Sequence, residues 1–517
     1  MAKRNNARGK KSLDKLRPSR QESRATPASS EEASTVVTPM GSLISRLFRP
    51  VDIASLVVFR VCFGVIMAWE AYHYLYTGWV GAFWVVPKFN FTFLAFDWVR
   101  PWPGDGMYLH FLALGILALC IAAGCFYRLA TILFFPGFAY VLLLDKTYYL
   151  NHFYLLTIIS FLLILVPANQ AFSIDAWRNQ KIRSKTAPAW AVWALAVQIA
   201  IPYFYGGIAK LTPDWLFLGE PSRLFLVGAA QGPILSWLFT AEPVVYLFAW
   251  SGMLFDLFIP FLLWWPRTRT PAYVAVLIFH CTNAFFFRIG VFPWFMICAS
   301  TLFFAPGWPR RFGFPPAWKN LRRRDGLPQV AKRRNAAPGG WASAAWGQKA
   351  AVLALAVHFM IQFVVPFHHF LYPGDAKWTR EGGYFVWHMK LADLKGQGTF
   401  TVTEQATGRT WKPDLKRHLN VRQVQIMFSD PDMVLQYAHF LEREALANGL
   451  RDIEVRAKVQ CSLNRRKPRL IIDPEADLTA HERTLWPASF IIPFEEAPVV
   501  GETDPTRATI DSARSTE

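Results

Sequence analysis

Nine apolar runs, at about 53–76, 108–126, 129–144, 148–167, 187–209, 243–265, 271–289, 291–306 and 349–371, constrain this chain more than anything else in it. A membrane-spanning helix needs roughly 20 apolar residues, about 17 to 25, so most of the runs reach that length and those at 129–144 and 291–306 fall at its margin. Inside a bilayer the backbone has to satisfy its own hydrogen bonds, and for runs of this length the helix does so. Composition agrees, since 53% of the 517 residues are hydrophobic and 16% aromatic, too apolar for an ordinary soluble enzyme. The expected fold class is a polytopic α-helical membrane protein of about nine transmembrane helices with a C-terminal extracytoplasmic α+β domain.

The formal charge of +19 invites a nucleic-acid reading. No recognition module is present, however, and the Lys and Arg fall in patches between apolar runs, so membrane topology explains them and no nucleic-acid partner is expected. Residues 1–48, rich in Lys, Arg, Ser and Pro, cannot bury a core and read as a disordered basic tail. The first run comes too late and is too long for a cleaved signal peptide, so it reads as a retained anchor. With that tail cytoplasmic, the alternation of spans puts Arg128, the cluster Arg178, Lys181, Arg183 and Lys185, the pair Arg267 and Arg269, and the Arg-rich stretch 310–334 all inside, as the positive-inside rule requires. Asp145, Lys146, Asn151, His152, Lys210, Asp214, Arg288, His368 and His369 then fall at outer helix ends. An odd number of spans delivers the C-terminal region to the periplasmic or lumenal side. The expected divisions are the tail 1–48, a helical domain 49–306, a basic cytoplasmic linker 307–348, the last span 349–374, an extracytoplasmic domain 375–500 and a polar tail 501–517.

Beyond residue 375 the long apolar runs stop. Residues 399–404, a Gly-containing turn and 409–411 read as a β-hairpin. Asp430 with Pro431 opens a helix whose inner face is Val434, Leu435, Tyr437, Ala438 and Leu441 and which ends at Gly449. Ile453, Val455, Ala457, Val459 and Cys461 alternate with polar residues, the period of a half-buried strand, and a second strand follows at 470–472. The other five cysteines lie in apolar runs, and neither a disulfide framework nor a CxxC metal site is readable.

The stretch 202–215 carries the chemistry. An aromatic run ends on Lys210, three residues after Gly207, and a turn with Thr212, Pro213 and Asp214 follows. A lysine at a span end ordinarily snorkels to water, and an interfacial anchor is the bland reading. An amine kept from water, by contrast, readily gives up its charge and becomes a base. Gly206 and Gly207 remove side-chain bulk one turn before it, letting another group or a ligand approach the backbone. Three other stretches share the outer face: Asp145, Lys146, Asn151 and His152; His280, Asn283 and Arg288; and His368, His369, Trp378, Thr379, Trp387 and His388. Satisfied interfacial histidines, interhelical hydrogen bonds and an aromatic belt are their bland readings. HExxH, GxSxG and P-loop patterns are missing, which counts against a zinc hydrolase, a serine esterase and a nucleotide enzyme.

From about residue 49 to 487 the chain resembles the vitamin K-dependent gamma-glutamyl carboxylase family, whose membrane part is the horizontally transferred transmembrane domain, and looks like a bacterial-type homologue. The resemblance runs through the stretch 49–56, residues 144–147 with Asn151 and His152, Tyr203 and Phe204 with 207–211, Asp214 and Trp215, His280 with Asn283, and Trp378 with Thr379. It implies that Lys210 is the base that deprotonates reduced vitamin K (phylloquinol or menaquinol) and that His152 shares its active site. It further implies quinol contacts by Asn151, Tyr205, Gly206, Gly207, His280, Asn283 and Arg288, and glutamate contacts by His369, Trp378, Thr379 and Trp387. O2 and CO2 are the implied co-substrates, no metal is implied, and the implied partners are membrane lipid, the quinol and a glutamate-containing protein or peptide.

A quinol hydroxyl has a pKa of roughly 10, like tyrosine, which a desolvated amine can match, whereas no amine can take a proton from the γ-carbon of glutamate. The resemblance implies that oxygenation of the quinol anion supplies the stronger base and leaves the 2,3-epoxide. Phe367, His368 and the stretch 386–388 depart from tyrosine- and serine-containing equivalents in animal members, and Cys461 has no candidate disulfide partner outside the membrane. Two alternatives stand beside the carboxylase: a membrane quinol epoxidase that carboxylates no protein, and a non-catalytic transporter or scaffold.

Overall fold

The computed structural model describes residues 39–230, 232–287, 289–313 and 346–494. Most of the basic tail and linker, Arg288 and the last residues lie outside them. The described end of the tail is a correction: Pro39–Leu47 is helical, because Ile44 finds a buried seat and Arg46 in the last turn suits the helix dipole.

In chain order the helices that matter here are α1 (Ala54–Tyr76), α2 (Gly106–Ala123), α3 (Tyr127–Leu143), α4 (Asn151–Leu165), α5 (Ala189–Ala209), α6 (Ser222–Ala229), α7 (Pro233–Thr240), α8 (Glu242–Trp264), α9 (Arg269–Phe287), α10 (Phe292–Ser300) and α11 (Trp346–Val364). Six are long and apolar enough to cross a membrane: α1, α2, α5, α8, α9 and α11 with its 3-10 extension to Leu371. The apolar helices α3, α4 and α10 are shorter, and α10 is prolonged by a 3-10 turn to Phe303. The chain is a multi-pass helical membrane protein.

Small residues set the crossings. A Cβ on Gly64 of α1 would stand 2.5 Å from the Ala118 carbonyl oxygen of α2, so glycine is what lets those backbones touch. Gly207 of α5 does the same against α8, where a Cβ would stand 2.5 Å from the Leu257 nitrogen. Phe59 and Phe63 of α1 pack edge to face on Phe295 of α10, tying these helices into one core.

After the last span the chain crosses the outer end of the bundle and enters a four-stranded antiparallel sheet in the order β-strand Arg409–Trp411, Leu394–Glu404, Ile453–Leu463 and Arg469–Leu470. Glu404 pairs with Arg409 across the hairpin turn. The alternate residues Ile453, Val455, Ala457, Val459, Cys461 and Leu463 are buried beneath α13 (Pro431–Ala447), which follows α12 (Val421–Met427). The Asp430 side chain caps α13 by accepting from the Met433 amide, and Gly449 ends the turn after it with φ +86°.

Charged pairs dock this sheet layer on the helix ends. The Lys146 ammonium donates to Asp432 at 2.6 Å, and Arg483 donates to the same carboxylate at 2.8 Å. Burial alone would raise the Asp432 carboxyl, but Lys146 and Arg483 outweigh it and hold it well below the usual carboxylate range. Asp145 accepts from Gln423 at 2.8 Å and Asn90 at 3.1 Å, and burial pushes its carboxyl up.

Candidate active site

Lys210 ends α5. Its ammonium donates to the Gly206 carbonyl at 3.0 Å and to Asp256 Oδ2 at 2.6 Å, and the residue is only 6% exposed. The Trp215 ring lies 5.3 Å from Nζ and is itself fixed by donation from its indole to the Ala249 carbonyl. Two of the three Nζ donor positions are thus committed, to Gly206 and Asp256. The sequence expectation of a buried amine without a charged partner is corrected by Asp256, which stands 2.6 Å from it. Chemistry at this point belongs to the pair.

The turn after Lys210 is held from the outside. Thr212 caps the short helix Pro213–Phe217, and Asp214 in that helix accepts from Arg466 through both oxygens, at 2.6 and 2.8 Å, and from Asn464 at 2.6 Å. Burial would raise the Asp214 carboxyl, but the Arg466 and Asn464 hydrogen bonds outweigh it and keep it below its usual value. Glu220 accepts from Arg465 at 3.1 Å in the same cluster.

The segment 387–391 passes over this corner and touches a different wall with each residue. The Trp387 ring stacks near Tyr154 of α4 at 4.8 Å. The His388 carbonyl accepts from the Asn151 amide at 3.1 Å. Met389 packs on Gly206, where a Cβ would meet its terminal methyl at 3.0 Å, Asp256 Oδ2 at 3.6 Å and Lys210 Nζ at 3.8 Å. Lys390 lies over the Phe225 and Phe287 rings, and Leu391 is buried with Trp215 and Met253. Phe385, Trp387 and Lys390 all have left-handed backbone, φ +64°, +61° and +53°, which such residues adopt only where surrounding contacts impose it. The His388 ring is pushed down to about 3 by burial and by the neighbouring His369 and cations.

A second group of expected residues forms an aromatic wall. His280 shares a 2.6 Å hydrogen bond with the Tyr203 hydroxyl, while its other ring nitrogen, Nδ1, is buried without a partner among the described residues. Phe292 links it to His152, with ring centroids 5.8 Å from His280 and 5.3 Å from His152. Among the described residues no hydrogen bond or ion pair joins His152 to Lys210. The segment 387–391 bridges them, because Asn151 holds His388 and Met389 sits on Gly206.

Other expected residues stand elsewhere. The Tyr205 hydroxyl donates to the Phe363 carbonyl at 2.8 Å and so anchors α11 rather than facing Lys210. Trp378 and Thr379 belong to the framework of the outer layer: Trp378 is 1% exposed and its indole donates to the Ile492 carbonyl, and Thr379 lies buried at the end of the turn that Asp375 caps. Their contacts are with the outer layer. His369 stands at the root of the segment, its ring 4.9 Å from that of His388. Asn283 is half-buried, with no hydrogen bond among the described residues, and Arg288 lies outside them.

Sequence reasoning missed Asp256 and Arg466, and it reached Met389 only as part of the outer-face stretch with Trp387 and His388. Asp256 carried a signal, being a carboxylate within an apolar span. Met389 and Arg466 carried none, since only the folded chain brings them to Lys210.

Residues 48–308 match the model of the HTTM domain family, and residues 347–497 match that of the vitamin K-dependent gamma-carboxylase lumenal domain. No solved structure matches the chain. Lys210 and Asp256 come from the first matched segment and residues 387–391 from the second.

Proposed function

The chain belongs to the vitamin K-dependent gamma-glutamyl carboxylase family, and from that premise we propose that it carboxylates the γ-carbon of protein glutamate at the Lys210–Asp256 corner. The overall change is quinol, O2, CO2 and glutamate to quinol 2,3-epoxide, water and γ-carboxyglutamate. The observation that carries the reading is a buried lysine, paired to a buried carboxylate inside a membrane bundle, covered by a segment from the second matched domain. We place the outer sheet layer, as an α+β domain, on the extracytoplasmic side and the N-terminus in the cytoplasm.

The corner suits a quinol on two counts. The third donor position of Lys210 is free for a hydroxyl among the described contacts, and His280 Nδ1 is a buried polar atom in want of a partner. In its neutral form Lys210 has a lone pair at that third position and takes the hydroxyl proton, and Asp256 stabilises the ammonium that results, so charge is not created unsupported in a low-dielectric bundle. Met389 now fills the space above Gly206, and its flexible thioether can swing aside for an aromatic ring. Bound quinol, once deprotonated and oxygenated, supplies the strong base that no side chain here can be. Trp387, Met389 and Leu391 keep water from the γ-carbanion, so that CO2 rather than a proton captures it.

Membranes carrying the protein, given reduced vitamin K, labelled CO2 and a Glu peptide, test this. Epoxide and carboxyglutamate in equal amounts are expected. Epoxide alone would make the protein a quinol oxygenase, and neither product would leave a transporter or scaffold.

A further inference from the structure

Lys390 is held unlike its neighbours. Its Nζ lies 5.5 Å from the centre of the Phe225 ring and 5.4 Å from that of Phe287, and those two rings meet edge to face at 5.1 Å. The seat is therefore built by α6 and the end of α9, while the residue itself stays exposed. Its chain neighbour Met389 lies on Gly206 beside the Lys210–Asp256 pair, and His152 is within electrostatic reach of its charge. Ring faces hold a cation without neutralising it.

The other lysines nearby are neutralised. Lys210 pairs with Asp256 at 2.6 Å, Lys377 with Asp375 at 3.2 Å and Lys395 with Asp393 at 3.1 Å. Among the described residues, no carboxylate stands within ion-pair distance of Lys390.

Resting on the carboxylase reading, we propose that Lys390 receives the side-chain carboxylate of the glutamate substrate. The chemistry asks for such a group. Removing a γ-proton from glutamate places a second negative charge on a carbon next to a carboxylate, and the charge delocalises onto its oxygens. An ammonium on those oxygens stabilises the dianion more than the ground state, which is what accelerates the step. Lys210 cannot fill this place, because two of its donors and its charge are already committed to Gly206 and Asp256. When the carbanion forms its new bond to CO2, the charge at the original carboxylate falls back to one, and the product leaves with two carboxylates on the γ-carbon.

The test uses the full chain in membranes with reduced vitamin K, labelled CO2 and a Glu-containing peptide. Lys390→Met should raise the peptide KM about tenfold or more, the scale of a lost charged hydrogen bond, and lower kcat for CO2 fixation with the quinol KM unchanged. Lys390→Arg should keep most of the activity, since it restores the charge. If Lys390→Met does not accumulate, Lys390→Gln should give the same rise. An unchanged peptide KM in the neutral variants, in a parent that does fix CO2, overturns this inference alone. A quinol KM that moves as far as the peptide KM overturns it too, because Lys390 would then shape the whole site. A parent that fixes no CO2 overturns the carboxylase reading and this inference with it.

Discussion

Lys210 Nζ and Asp256 Oδ2 stand 2.6 Å apart with both side chains buried, although 46 residues separate them in the chain. Removing either partner strands the other's charge inside the bundle, so the pair responds as a unit.

Lys210→Ala should abolish quinol epoxidation, and an added small amine should restore part of it. General-base help is typically worth about 10² to 10⁴ in rate, so the loss is measurable in any working assay. Lys210→Arg should fail as well, because guanidinium stays protonated. Asp256→Asn should also lose activity, and the double variant should be no worse than Lys210→Ala. Parent-like turnover in Lys210→Arg would show that Lys210 is no base.

Gly207→Ala should cost activity without touching any reacting group. Its new Cβ would stand 2.5 Å from the Leu257 nitrogen, forcing α8 away and taking Asp256 with it. Gly252→Ala in α8, where nothing lies within 4 Å, is the control and should behave like the parent. Thermal melting and epoxide formation measured on both variants decide it; equal activity would mean that the crossing tolerates the shift.

Arg466→Met should loosen the turn that carries Lys210. Breaking a buried ion pair by removing one partner costs about 3 to 5 kcal/mol, and Arg466 with Asp214 is buried on both sides. Faster proteolysis of the outer layer and a fall in kcat are expected. Arg466→Lys should not repair them, because one ammonium cannot span both Asp214 oxygens.

Acid should open the segment over the site. Its half-buried His388 ring is pushed down to about 3 from an ordinary value of 6.5, by desolvation and then by His369, Arg380, Lys377 and His368. The closed form keeps that ring neutral while the open form takes a proton, so closure is complete above 6.5 and is lost as the pH falls. Each pH unit below that point favours the open form by about tenfold, or ~1.4 kcal/mol. Hydrogen exchange over 384–391 should therefore rise between pH 7 and 5 in the parent and stay flat in His388→Gln. A flat parent profile would remove His388 from this role.

Cysteines placed at Ser23 and Ser489 should differ in intact cells, with an impermeant reagent reaching only Ser489→Cys above the parent background. Labelling of Ser23→Cys alone would invert the proposed orientation.

The helices were legible because lipid demands apolar runs of a given length, and the outer layer because Asp430 and the alternation from Ile453 to Cys461 are local signals. Lys210 was legible as an amine at an aromatic span's end. Its partner was not, because Asp256 reaches it only through the contact between Gly207 and Leu257. Trp378 and Thr379 lie in the framework of the outer layer, a placement that the sequence does not mark, since an indole or hydroxyl looks the same in a core as in a site. The non-glycine residues Phe385, Trp387 and Lys390 carry no mark of left-handed backbone, which tertiary contacts alone impose.

Residues 387–391 also impose an order on biosynthesis. Lys210 and Asp256 can meet as soon as α5 and α8 are in the membrane, but their cover is translated more than a hundred residues after Asp256. A chain that ends before that point has the amine and the carboxylate but lacks both their cover and Arg466, which clamps the turn after Lys210. The site is therefore completed only when the last domain has been made and docked on the bundle.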